Sequence, residues 1–284
     1  MPSVSEPETI EEAAALLGSG RTVSIERPGG EVELSARKLT RVLEHEPGDL
    51  TAIVEAGLPV SELQAYLREH GQMLALDPPG DPTIGACLAG DLSGPRRHRY
   101  GAMRDLVIGV TVVLAGGLVA SSGGKVVKNV AGYDLGKLFS GSRGRLGLVA
   151  RVALRLHPRP AAEATVVAET DDPRALWLDV HRSQLEPSAV DILPPGRVAF
   201  LFEGPKAAVG AQVAGCPGEP EGGEVWAESL ERQAGAVHVP HDWQDCVLAR
   251  PGPAIAFVES APERAWSPLA ERVRASLDPE GLLA

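Results

Sequence analysis

Apolar and polar positions alternate over residues 1–160 in the way expected of short strands separated by helices. Residues 6–18 predict a helix, because acidic side chains occupy its first turn and Gly18 lies near its end. Residues 60–71 predict another helix, with apolar positions at helical spacing before a terminal glycine. Strands are predicted over 21–26, 31–35, 51–57, 105–124 (two strands around a turn) and 146–160. This alternation predicts an α+β domain.

The pattern weakens from residue 161 onward, where Pro and Gly interrupt it more often. Strands and helices are predicted there over 165–170, 171–184, 197–204, 207–215 and 271–284. We therefore expect two domains, the first over 1–160 and a smaller one over 161–284. The boundary falls at the prolines that end the preceding strand.

Composition and cysteine spacing narrow the class of protein. Hydrophobic residues make up 44% of the 284-residue chain, as in ordinary soluble globular proteins. The acidic N-terminus lacks the pattern of a signal peptide, and no apolar run is long enough for a transmembrane segment, so a cytoplasmic protein is predicted. Three scattered cysteines, Cys87, Cys216 and Cys246, predict no disulfide framework and are too few for an iron–sulfur cluster.

Charge is distributed unevenly along the chain. The net charge of −11 argues against nonspecific nucleic-acid binding. Residues 91–159 nevertheless hold 12 Lys and Arg but three Asp and Glu. Such a basic island suits an anionic ligand such as a pyrophosphate, or it forms a solvated basic face.

Glycine is concentrated in two segments, 81–95 and 141–147. Loops of this kind can present backbone N–H groups to phosphate oxygens, although they can also be turns without a ligand. Neither segment matches the dinucleotide fingerprint GxGxxG or the phosphate loop GxxxxGK[ST]. The segment 238–246 contains two His and a Cys but no second ligand pair, so a surface loop and no metal site are predicted there.

Three motifs occur in a fixed order over about 80 residues: PTIGA (82–86), SGPRRHRYGAMRDLVIGVTVV (93–113) and GGKVVKNVAGYDLGKLFSGSRGRLGLVARVALRLHPRP (123–160). This series resembles the FAD-binding domain of the vanillyl-alcohol-oxidase/p-cresol-methylhydroxylase (PCMH) type. SGPRR and KNVAGYD together resemble the GlcE-type FAD-binding subunits of glycolate oxidase. The resemblance runs from about residue 35 to 160.

The resemblance implies a fold and a set of site residues. It implies an FAD-binding domain of two α/β subdomains, followed by a small, reduced C-terminal cap domain. The residues that it implies near the pyrophosphate and the flavin are Pro82, Thr83, Ile84, Gly85, Ala86, Ser93, Gly94, Tyr100 and Gly101. Those that it implies near the adenine or the pyrophosphate are Gly144, Gly147 and Val149. A branched side chain at Gly85 or Gly147 is expected to take space that the cofactor needs. Asp105 is expected to fix its loop.

One segment departs from the family pattern. Family members carry a longer glycine-rich loop between the first two strands, which wraps the pyrophosphate, whereas this chain has only IERPGGEV at 25–32. The segment offers no His or Cys for a covalent link, so noncovalent FAD is expected. A flavin-free assembly subunit, which keeps the fold after losing the cofactor, is the alternative.

The implied function is that of an FAD-binding subunit in a glycolate (2-hydroxyacid) oxidase or dehydrogenase complex. The implied partners are a larger FAD-linked subunit and an iron–sulfur subunit, which could hold the complex at the inner membrane. No catalytic base stands out in the sequence. Arg96, Arg97 and Arg99 are expected to bind phosphate or a substrate carboxylate, to dock an acidic partner, or to lie in a solvated loop.

Overall fold

The structure, a computed structural model, describes residues 3–26, 29–124, 134–234, 236–240, 246–260 and 267–284. Its helices and its sheets of two, three, five and seven strands confirm the predicted α+β class. Most of the KVVKNVAGYD motif and most of the segment 238–246 lie outside the described residues. None of the helices in these ranges combines the length and the apolar character needed to cross a bilayer.

The N-terminal residues form a parallel sheet of three short strands. They are β1 (Ser3–Ser5), β2 (Val23–Ile25) and β3 (Val32–Leu34), in the order β1-β3-β2. Helix α1 (Ile10–Leu17) begins after Thr9, whose side chain accepts a hydrogen bond from the third residue that follows it. The last residues of the chain return to this sheet, where the backbone of Val23 bonds to Leu282 and Ala284.

A five-stranded antiparallel sheet follows, covered by helices. Its strands are β4 (Val42–Glu46), β5 (Thr51–Glu55), β7 (Val107–Val113), β8 (Val119–Gly123) and β9 (Leu148–Arg155), in the order β4-β5-β9-β7-β8. The helices are α2 (Val60–Arg68), α3 (Ile84–Gly90), α4 (Arg97–Tyr100), α5 (Met103–Leu106) and α6 (Leu135–Phe139). The short strands β6 (Gln72–Met73) and β10 (His157–Pro158) pair with each other.

Residues after 161 build a seven-stranded antiparallel sheet. Its strands are β11 (Ala162–Glu169), β12 (Ala189–Leu193), β13 (Arg197–Gly204), β14 (Glu219–Glu221), β15 (Val237–Pro240), β16 (Leu248–Arg250) and β17 (Ile255–Val258). Their order is β14-β11-β13-β12-β16-β17-β15. The helices are α7 (Pro173–Arg182), α8 (Lys206–Gly215), α9 (Glu224–Ala234) and α10 (Pro268–Leu277). We propose residues 160–161 as a domain boundary.

Helix α3 is one of the elements that the hydrophobic pattern misses. Its sequence, IGACLAG, has no polar face, because Ile84, Cys87 and Leu88 are buried in the core of the five-stranded sheet. The other side of the helix carries Gly and Ala and leaves room beside its backbone. A helix between a core and a cavity needs no alternation of apolar and charged positions.

Candidate functional site

A cavity of about 330 Å³ opens between the three-stranded sheet, helix α3 and the loop before β9. The first wall is the end of β2 together with Ala36, the second is α3, and the third is the segment 143–149. Half of the site residues expected from the sequence lie here, namely Thr83, Gly85, Ala86, Gly144, Gly147 and Val149. The structure thus brings the two glycine-rich segments together around one space.

The backbone at the start of α3 is already hydrogen-bonded within the protein. Thr83 Oγ1 accepts a bond of 3.2 Å from Ala86 N. The N–H groups of Ile84 and Gly85 donate to carbonyl groups in the connection between β5 and α2, at 2.9 and 2.7 Å. The second wall therefore shapes the cavity, and these N–H groups are not available to phosphate oxygens.

Pro82 and Ile84 support this wall from behind. The carbonyl oxygen of Pro82 accepts a bond of 3.1 Å from Val60 N, which ties the segment to α2. The Ile84 side chain is fully buried in the core. Neither residue lines the cavity. Their contribution is to fix the position of the residues that do.

Close packing explains the glycines of the site. A Cβ atom added to Gly85 would lie 2.9 Å from Ala56 Cβ, and one added to Gly147 would lie 2.5 Å from Val113 O. Gly144 has a φ of +74°, and a Cβ atom added to it would lie 2.8 Å from Ile25 O in β2. A branched side chain at Gly85 or Gly147 would collide with protein before it reached the cavity, which corrects the expectation from the sequence.

Two side chains of opposite charge, Arg143 and Glu26, line the cavity. Arg143 lies on the third wall, is exposed, and bonds through its backbone N–H to Ala89 O at 2.9 Å. Its guanidinium offers up to five donors to a phosphate. Sequence reasoning missed Arg143 as a site residue, although its place between two glycines of a basic segment was a usable signal. Glu26, on the first wall, was missed as well.

The other expected site residues lie at the junction with the seven-stranded sheet. Ser93 is buried, and its carbonyl oxygen accepts a bond of 2.7 Å from Gln233 in α9. The Tyr100 hydroxyl donates to Glu203 Oε2 at 3.4 Å. Burial, reinforced by the Glu203 carboxylate, raises the pKa of Tyr100. Ser93, through its backbone carbonyl, and Tyr100, through its side chain, thus join the two parts of the chain.

Gly94 and Gly101 shape the same junction. A Cβ atom at Gly94 would lie 1.7 Å from the carbonyl oxygen of Asp77, so only glycine fits there. Gly101 has a φ of +85° and packs against the Asp105 side chain. Asp105 Oδ2 accepts a bond of 2.9 Å from Ala102 N and so fixes the loop, as expected.

Arg96 does not take any of the three roles expected of it. Its side chain is 26% exposed and pairs with Glu203 at 2.8 Å and with Asp77 and Glu163 at 3.5 Å each. Three carboxylates of the chain itself therefore surround this guanidinium. A substrate carboxylate would meet net negative charge here, and an acidic partner would reach Arg96 only by breaking these pairs.

The neighbouring cations differ in their surroundings. Arg97 is half-buried and donates to Ser93 Oγ at 3.2 Å, and burial lowers its pKa. Arg99 is exposed, with its guanidinium 5.9 Å from the ring centre of Tyr100. The hypothesis of a basic docking surface therefore rests on Arg99.

Further charges are buried behind the junction. Arg250 pairs with Asp191 at 3.0 Å, and both side chains are almost fully buried. Arg250 also donates to Gln233 Oε1 at 2.8 Å. Burial raises the pKa of Asp77 to about 7, against the opposing effect of Arg96. A carboxyl with a pKa near neutrality can exchange a proton under ordinary conditions.

Cysteine and metal chemistry find little support in the described ranges. Cys87 is fully buried, and burial raises the pKa of its thiol to about 12. A thiol with that pKa is a poor nucleophile at neutral pH. Across the described segments, no three His, Cys, Asp or Glu side chains are grouped in a way that could hold a metal ion.

Comparison with known families gives this geometry a chemical meaning. Residues 11–123 match the FAD binding domain family. That range contains the first two walls of the cavity. The match assigns FAD as the cofactor of this domain and confirms the cofactor expected from the motifs.

Two curated proteins extend the comparison beyond this range. The chain is 31% identical to glycolate oxidase subunit GlcE of Escherichia coli (strain K12) over 221 residues, which cover 76% of the chain and 63% of that protein. It is 35% identical to a mitochondrial D-lactate dehydrogenase [cytochrome] 1 of Saccharomyces cerevisiae over 173 residues, 60% of the chain and 29% of that protein. The chain thus spans less than two thirds of either relative. The resemblance to GlcE-type subunits is confirmed.

The fold has a counterpart among solved structures. A structure of alkyldihydroxyacetonephosphate synthase superposes with a TM-score of 0.72 over 99% of this chain and 75% of that one, at 16% identity. At this identity the likeness concerns the fold. It includes the seven-stranded sheet, because nearly the whole chain is covered.

Proposed function

Because residues 11–123 belong to the FAD binding domain family, we propose that the chain is the FAD-binding subunit of a glycolate or related 2-hydroxyacid oxidase. The observation that carries the proposal is the cavity in which both glycine-rich segments meet beside Arg143. Bound FAD supplies the two-electron chemistry of such a reaction. The similarity to a glycolate oxidase subunit and to a D-lactate dehydrogenase supports this class of substrate.

The cavity residues suit a noncovalent cofactor. Thr83, Gly85 and Ala86 offer a wall without bulky side chains, and Arg143 offers a cation for the pyrophosphate. The described lining contains neither His nor Cys, the residues that would anchor a flavin covalently. We propose that these residues, with Gly144, Gly147 and Val149, bind FAD without a covalent bond, and that Ser93, Gly94, Tyr100 and Gly101 hold the junction beside it.

Protein reconstituted with FAD should be yellow, with the absorption bands of oxidised flavin, because the cavity binds the cofactor. Acid precipitation should leave all the flavin in the supernatant, because no covalent bond holds it. Absorption spectra before and after precipitation measure both results. A folded protein that stays colourless and does not titrate with FAD would instead favour the flavin-free assembly subunit.

We further propose a larger FAD-linked subunit and an iron–sulfur subunit as partners, in a cytoplasmic complex. The similarity to a protein named as a subunit supports partners in general. Cys87 is buried in the core of the five-stranded sheet, whereas Cys216 and Cys246 are buried in the core of the seven-stranded sheet. Within the described residues, they are not part of any group that could hold a metal ion. An electron path through an iron–sulfur cluster would therefore require a second chain.

The isolated chain should oxidise glycolate at least about tenfold more slowly than a preparation co-expressed with both partner subunits, because the cluster and part of the catalytic machinery lie elsewhere. Turnover with an artificial electron acceptor measures the difference, with flavin content as the normalisation. Equal rates per bound flavin would show that the lone chain is a complete catalyst.

A further inference from the structure

We infer that the Glu26 carboxylate occupies an anion-binding position of the cavity and competes there with the phosphate groups of the cofactor. The inference rests on the proposed function in one respect, because it takes the cavity to be where FAD phosphates bind. It goes beyond that function because it assigns a self-inhibiting role to one residue of this chain.

Two donors converge on one oxygen of Glu26. Ser35 Oγ donates to Glu26 Oε1 at 2.9 Å, and Ala36 N donates to the same atom at 2.8 Å. Ser35 and Ala36 are both buried, and Ala36 lies in the cavity wall. A hydroxyl and a backbone N–H aimed at one point form a small anion site, and here an anion from the chain itself fills it.

The backbone directs the carboxylate into this position. Glu26 has a φ of +53°, which lies in the left-handed region. Residues other than Gly, Asn and Asp seldom adopt this backbone conformation. Its N–H bonds to Leu34 O at 3.0 Å, which holds the turn against β3. A strained residue persists only where its surroundings stabilise it, and the two bonds to its side chain do so.

The two charged side chains of the cavity have opposite effects on a phosphate group. A phosphate that enters the cavity is attracted by Arg143 on the third wall and repelled by Glu26 on the first. The phosphate can bond to Ser35 and Ala36 only when the carboxylate leaves them. The Glu26 carboxylate, in the short connection between β2 and β3, thus takes the place of a bound anion. A phosphate-bearing ligand must displace it to reach the same donors.

Calorimetric titrations with FAD, ADP and riboflavin test the inference, because riboflavin lacks phosphate. Glu26→Gln keeps an acceptor for both donors and removes the charge. It should therefore raise the affinities for FAD and for ADP by about tenfold. Riboflavin should bind as to the parent. Arg143→Gln should shift FAD and ADP by about tenfold in the opposite direction.

Glu31→Gln is the matched control. Glu31 lies in the same β2–β3 connection, is exposed, and accepts a bond of 3.0 Å from Thr22 N outside the cavity. The same loss of one charge should leave all three affinities unchanged there. Thermal melts of each variant show whether the fold is kept. Glu26→Ala removes the acceptor as well as the charge, and so empties the anion position.

The outcomes separate this inference from the proposed function. If the parent binds FAD, and neither Glu26 variant binds it more tightly, the inference is overturned and the flavin assignment stands. Weaker binding in particular would mean that the carboxylate accepts hydrogen bonds from the hydroxyl groups of a ribose. If Glu26→Gln raises the affinity for ADP while no variant binds FAD, the flavin assignment is overturned and the competing role of the carboxylate is supported.

Discussion

Replacing Ala89 by leucine should lower the affinity for FAD by about 100-fold, roughly 2.7 kcal/mol. Ala89 lines the cavity from helix α3, where the larger side chain would take up space that the cofactor needs. Leucine is nearly as good a helix former as alanine, so α3 itself should tolerate the change. Quenching of flavin fluorescence on titration gives the dissociation constants of parent and variant.

The matched control for this variant is Ala65→Leu. Ala65 is exposed on helix α2 and lies outside the cavity, so the same substitution there should leave FAD binding within about twofold of the parent. Both variants should melt close to the parent. If Ala89→Leu bound FAD as tightly as Ala65→Leu, the cofactor would have to lie elsewhere.

Replacing Arg96 by glutamate should cost about 3–5 kcal/mol of unfolding free energy, which is a large part of the stability of most domains. The substitution removes the cation that pairs with Glu203, whose side chain is 1% exposed, and adds another carboxylate beside Asp77 and Glu163. Urea unfolding followed by circular dichroism measures the loss.

Arg99→Glu reverses the same charge three residues further along, where the side chain is exposed. It should change the unfolding free energy by less than about 1 kcal/mol, as for most surface substitutions. It is therefore the suitable variant for testing whether the basic segment docks a partner. An Arg96→Glu protein as stable as Arg99→Glu would show that the Arg96 ion pairs contribute little.

The parts of the site that depend on local sequence were predictable. The resemblance carried by the ordered motifs pointed to residues 82–86 and to the loop before β9, which line the cavity with Thr83, Gly85 and Gly147. It did not predict that helix α3 begins there. These positions are determined by tight turns and close backbone packing, which only a few residue types allow. The α+β class followed from strand and helix periods in the same way.

Contacts between distant positions were not predictable from local patterns. The nearest of the three carboxylates around Arg96 is that of Glu203, on a strand of the seven-stranded sheet, and no spacing rule connects the two residues. From local sequence alone, Arg96 is therefore expected to bind an anion, to dock an acidic partner or to lie in a solvated loop. Glu26 was overlooked for a similar reason, because its role depends on the main-chain N–H of Ala36, a donor that every residue except proline possesses.

The pairing of Val23 with residues 282–284 has a consequence for the order of folding. Val23 N donates to Leu282 O at 2.8 Å, and Ala284 N donates to Val23 O at 3.0 Å, so one side of β2 is completed by residues that lie far from it in sequence. The strand that ends at Ile25 and leads into Glu26 borders the cavity. This wall of the cavity therefore needs a contact between positions that are distant in sequence, and the entropy of closing so long a loop delays that contact. We expect flavin to bind only after it has formed.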